Sequence, residues 1–139
     1  MTRRSLPNRR NGFTQKMRVG SHTIYLRTGE YDDGTLGEIF IDASRQGTLL
    51  RGMLNAFAIS ISIGLQNGVS LRSYTRAFLG MKFPPRGPAV AGTPDDPDRV
   101  VECHSIPDLL MRELVSAYLG ESSEGEPVEE EDCTPEEIL

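Results

Sequence analysis

Three short runs of this chain alternate apolar and polar residues, and the run after them repeats its apolar residues every three or four. Phe13, Gln15, Met17 and Val19 share one side of the first run, against Thr14, Lys16 and Arg18 on the other. His22 to Thr28 sets Ile24 and Leu26 against Thr23, Tyr25 and Arg27, and Thr35 to Asp42 makes the third run. A period of two places successive side chains on opposite faces of a strand. Gly20-Ser21 suits a two-residue type II′ hairpin turn, and Asp32-Asp33-Gly34 supplies the next turn. The product is a three-stranded antiparallel meander with one apolar face, which cannot stand until something covers it.

The next segment is expected to supply the cover. Gln46 to Gln66 carries Leu49, Leu50, Met53, Leu54, Phe57, Ala58, Ile61, Gly64 and Leu65 at helical spacing, with Ile59 and Ile63 widening the stripe. The pattern predicts the central helix of the fold, against the sheet and its helical neighbours, stopped by Asn67-Gly68. Ser70 caps a shorter helix, Leu71 to Leu79, with Leu71, Tyr74 and Phe78 inward and Gly80 at its end. Lys82 to Arg99 contains five prolines and reads as an irregular loop. Ser105, Pro107 and Asp108 open a third helix as cap, first-turn proline and capping-box acid, and Gly120 closes it. The fold class is α+β: a meander followed by three helices packed on one face. Gly37 is the odd residue, since strand interiors avoid glycine; it suggests a bulge or a close approach by the Gln46–Gln66 helix. Glu38, opposite in pleat to Ile39, is expected to face solvent.

The 139 residues make one domain, long enough to bury a core unaided. No apolar run approaches the ~20 residues that span a bilayer, and no apolar stretch follows the basic N-terminus as a secretory signal requires. The expectation is therefore a cytoplasmic chain without a membrane partner. Its net charge of -5 is unevenly spread. Residues 1–20 hold six bases and no acid, whereas residues 120–139 hold nine acids and no base. This divides the chain into a basic extended arm (1–12), a folded domain (13–120) and a disordered acidic tail (121–139).

Catalytic chemistry needs convergent groups, and none is legible. Asp32 and Asp33 are explained by their turn. Cys103 and Cys133 are 30 residues apart, which is neither a disulfide framework nor a metal motif, and with two histidines no metal site is expected. The acidic surroundings of Cys133 disfavour its thiolate. No catalytic residue, metal ligand or cofactor is assigned. The arm offers Arg3, Arg4, Arg9 and Arg10, and the first strand adds Lys16 and Arg18, a set that would suit a nucleic acid or a protein partner.

The stretch "LPNRRNGFTQKMRVGSHTIYLRTGEYDDGTLGEIFIDASRQG" resembles the region after the catalytic barrel in cobalamin-dependent (class II) ribonucleotide reductases. The likeness continues through "LLRGMLNAFAISISIGLQNGVSL", "AFLGMKFPPRG" and "CHSIPDLLMRELVSAYLG", so it covers roughly Leu6 to Gly120. It is similar also to the small domain called TSCPD. Gly37, Glu38, Phe40, Gln66 and Gly68 carry the signature. Lys82 stands where the family has Arg before Phe83, and Pro84 replaces an acidic residue. The 139 residues do not hold the barrel, so the expectation is a chain without the radical-forming cysteine, the redox pair and the cofactor platform. The family's C-terminal cysteine pair is reduced to Cys133 alone.

The resemblance implies a fold and a lineage without the chemistry: a stand-alone accessory, regulatory or split-subunit protein acting through protein contacts, with a class II reductase large chain as the implied partner. The surface on offer is the arm, the hairpin and the proline-rich segment with Phe83 and Arg86. The alternative is a nucleic-acid-binding or assembly module using the basic arm. A second copy of the chain is a further candidate partner, although Lys16 and Arg18 on an outer strand would discourage sheet pairing.

Overall fold

A computed structural model describes residues 2–44 and 47–120. The expected acidic tail lies outside the described residues. Three strands form as the alternation requires: β1 (Thr14–Val19), β2 (His22–Glu30) and β3 (Leu36–Ser44), paired antiparallel in sequence order. Gly20 has φ +59° in the first turn. In the second, Asp33 Oδ1 accepts from both the Thr35 N–H and the Thr35 hydroxyl.

Two further strands extend the sheet. Lys82 to Arg99 is not wholly irregular: it contains β4 (Gly87–Val90), which pairs with β5 (Val100–Cys103) and with β1. The order is β3-β2-β1-β4-β5. Pro88 is tolerated because β1 pairs only with Ala89 and Val90, beyond the proline. One consequence corrects the expectation for Lys16 and Arg18: β1 is an inner strand, and both side chains stand on an open sheet face rather than along an edge.

The helices α1 (Thr48–Gln66), α2 (Leu71–Phe78) and α3 (Ile106–Tyr118) all pack on the other face. Met17, Val19, Ile24, Leu26, Ile39 and Ile41 meet them in one core. Ser70 and Ser105 cap α2 and α3 through the N–H groups of Ser73 and Asp108, as their sequences require. The central helix, however, is α3 and not α1. Ile106 and every residue from Asp108 to Val115 are buried, whereas α1 buries only Leu54, Ala58, Ile61 and Gln66.

The reason lies in where α1 runs. It follows edge strand β3: Arg51 pairs with Asp42 at 3.2 Å, Ser62 Oγ accepts from the Ile39 N–H and donates to the Ile39 carbonyl, and Gln66 Nε2 donates to the Gly37 carbonyl. The Ser62 hydroxyl thus occupies both outward-facing groups of an edge residue, where another strand would otherwise bond. A helix in that position has one side against the fold and the other in solvent.

The puzzle of Gly37 resolves locally. Gly29 pairs with Glu38 and Glu30 with Leu36, so Gly37 is the extra residue of a β-bulge. The close approach comes from Leu6 and Tyr31, not from the helix: a Cβ on Gly37 would lie 2.6 Å from Leu6 Cδ2 and 2.7 Å from the Tyr31 ring. Glu38 is not free in solvent either; its carboxylate accepts from Arg10 at 2.7 Å, and its side chain is only partly exposed.

Candidate functional site

Most signature residues converge on the arm. The Arg4 N–H donates to the Gln66 carbonyl at 2.7 Å, and Arg3 Nε donates to Gln66 Oε1 at 2.8 Å. The Arg4 guanidinium sits 3.7 Å from the Tyr31 ring centroid and pairs with Asp33, while the Tyr31 hydroxyl donates to the Arg4 carbonyl. Hydrogen bonds from Thr35, then Arg4, hold the Asp33 carboxyl down at about 2. With Arg10 on Glu38, three of the four arm arginines are engaged inside the fold. Gly37, Glu38 and Gln66 therefore serve to clamp the arm, and Gly68 (φ +96°) makes the turn after α1. A cavity of about 590 Å³ lies here between Arg4, Tyr31, Gln66, Gly68 and Leu119. Phe40, the remaining signature residue, stands apart on the open sheet face.

The groups with chemistry elsewhere have structural partners. The Asp108 carboxylate accepts from the N–H groups of Gly80 and His104 and from Arg112 Nε at 2.6, 2.8 and 2.9 Å. One buried acid thus joins the end of α2, the turn after β5 and α3; the sequence showed only its capping role. Arg99 donates to Glu113 Oε2, while Glu113 Oε1 lies 2.8 Å from the same nitrogen without a hydrogen bond's direction. Burial raises the Glu113 carboxyl in spite of Arg99. Burial, then the negative charge of Asp108, raises the Cys103 thiol, so that sulfur is held as a core thiol. Cys133 lies outside the described residues. Among the described residues, no three of His, Cys, Asp and Glu gather where they could hold a metal ion.

What stands out is the outer side of α1. Leu49, Met53, Ile59 and Ile63 are 79, 62, 51 and 59% exposed. Gly52, Ala56 and Ser60 lie exposed between them, and no charged residue occurs from Gly52 through Ser70. By length and composition alone α1 could cross a membrane, but its inner side is committed to β3. At 1.5 Å per residue the run from Leu49 to Ile63 is about 21 Å long, and at ~10 Å wide it offers roughly 200 Å² of uncharged, mainly apolar surface with Ser60 inside it. Its area is within what a monomer commonly exposes; what distinguishes it is the lack of any charge along it from Gly52 onward. Of the sequence candidates, Phe83 and Arg86 are at least partly exposed beside β4, and Arg9 is exposed on the arm. The α1 face was missed because helical spacing marks apolar residues without distinguishing which become buried.

Residues 1–118 match the TSCPD domain family. The chain belongs to that family. The TSCPD chain is 52% identical over 118 residues to a vitamin B12-dependent ribonucleotide reductase of Agrobacterium fabrum, and 50% identical over 118 residues to one of Bradyrhizobium diazoefficiens. A reductase of the same name from Streptomyces coelicolor is 42% identical over 117 residues. These alignments cover 84–85% of the TSCPD chain, yet it spans only 9% of the first two relatives and 12% of the third. No solved structure matches it.

Proposed function

We infer that this TSCPD chain is a non-catalytic docking module for a vitamin B12-dependent ribonucleotide reductase, contacting the reductase chain through the outer face of α1. The observation that carries the reading is the uncharged strip of Leu49, Met53, Ile59 and Ile63. The relatives' names supply the partner class, because in those proteins the matching region is a small part of a much longer chain. The buried or internally paired state of Cys103, Asp108 and Glu113 supports a module that binds rather than reacts.

The arm-based nucleic-acid alternative is less well supported, since Arg3, Arg4 and Arg10 already bond within the domain.

The test is a binding titration of the full chain against a B12-dependent reductase chain lacking this region. A complex should form, and Met53→Asp or Ile59→Asp should weaken it about tenfold or more, the scale expected for a central apolar contact. Absence of a complex, unchanged binding by both variants, or α1-mediated pairing of this chain with itself alone would overturn the reading.

A further inference from the structure

The helices leave the second face of the sheet uncovered, and its side chains are set by the register. One row across β1, β2 and β3 is Lys16, Tyr25, Asp42; the next is Thr14, Arg27, Phe40; a third runs Val90, Arg18, Thr23, Ser44 from β4. Tyr25 and Phe40 are diagonal neighbours on adjacent strands, about 7 Å apart. The Arg27 guanidinium sits 4.6 Å from the Phe40 ring centroid, and Phe40 is 44% exposed. Lys16 and Arg18 make no ion pair among the described residues, while the single acid within these rows, Asp42, is paired with Arg51.

Hollows open on this face, and two of them meet at Tyr25. One of about 680 Å³ is walled by Tyr25, Arg27 and Phe40, the other of about 320 Å³ by Lys16, Arg18 and Tyr25. Tyr25 is the wall they share.

Charge distribution points the same way. All fifteen Lys and Arg lie in residues 1–120 with eleven of the twenty acids, so that part is positive by four, and the nine acids of the tail hide this in the net value. An open antiparallel face with aromatic rings between cations fits a ligand carrying both flat bases and phosphates. A five-stranded face is too broad for a duplex groove, which admits a helix or a two-stranded ribbon. Along four residues of strand and across two strand spacings the site measures ~16 Å, a short length of single strand.

We propose that this face binds single-stranded nucleic acid, with bases stacked on Tyr25 and on the Arg27–Phe40 pair and phosphates met by Lys16 and Arg18. The site is separate from the arm; its larger hollow borders the first turns of α1 at Thr48, Arg51, Gly52 and Asn55.

The experiment is fluorescence anisotropy with the full chain and a labelled oligothymidylate over a range of salt. With Lys16 and Arg18 each meeting a phosphate, log K should fall with log salt at a slope of about −1.4. Tyr25→Ala should cost about fivefold or more, Tyr25→Phe should retain binding, and Lys16→Gln with Arg18→Gln should flatten the slope by about 1.4. Arg9→Ala should change little. Salt-insensitive or absent binding, equal affinity for a duplex, a mononucleotide or anionic vesicles, or a loss confined to the Arg9 variant would each overturn the proposal. Thermal unfolding of the same variants distinguishes a lost contact from a lost fold.

Discussion

α1 and α3 invert the ordinary relation between composition and burial. The helix without a charge from Gly52 onward lies half in solvent, and the helix carrying Asp108, Arg112 and Glu113 is buried almost throughout. Burial here follows position in the sheet: α1 closes the β3 edge, and α3 fills the middle. Charges become tolerable inside when each finds partners. Apolar residues remain outside on α1, and the docking proposed above rests on that exposed strip. The two helices therefore separate a buried, internally paired α3 from an α1 whose outer side is apolar and exposed.

That separation can be broken most sharply at Asp108. Asp108→Asn leaves Arg112 charged and buried, and should lower the unfolding free energy by about 3–5 kcal/mol in urea titration. Adding Arg112→Met should return part of the loss, because the buried charge that lost its carboxylate is then gone. A smaller effect is expected where α1 meets the sheet. Ser62→Ala removes both bonds to Ile39 and should cost about 1–2 kcal/mol, with faster amide exchange at Ile39. The smallest is a pH effect. Burial holds the Glu113 carboxyl above its ordinary 4.5, so the protonated form favours the fold. That contribution is complete below the ordinary value and disappears as pH rises through the raised one. Glu113→Gln should flatten this decline in thermal unfolding measured across the acid range; an unchanged profile would place the titrating group elsewhere than Glu113.

What the sequence made legible was local. The alternation of Phe13 to Val19, the caps Ser70 and Ser105 and the Asp33 turn are written in neighbours, and each formed as read. The strands β4 and β5 are four residues long, too short for a period to emerge, and Pro88 argued against a strand until its partner was known. The links from Asp108 to Gly80, Leu6 to Gly37 and Ser62 to Ile39 each join distant positions, which no spacing rule reaches. For the candidate sites, Lys16 and Arg18 were visible as cations, but not that they share a face with Tyr25 and Phe40. The α1 residues were visible as a wide stripe whose outer half had no assigned use.

The bulge at Gly37 also governs the strand's phase. Leu36 sits at an even position, Ile39 and Ile41 at odd ones, yet all three are buried on the same side. Strict alternation would forbid this, and the extra residue permits it. Gly37 works as a half-step in the pleat, so losing it would act as a frameshift in space. One end of β3 would turn over, carrying Leu36 out of the core or Phe40 into it, with every other residue of the chain unaltered.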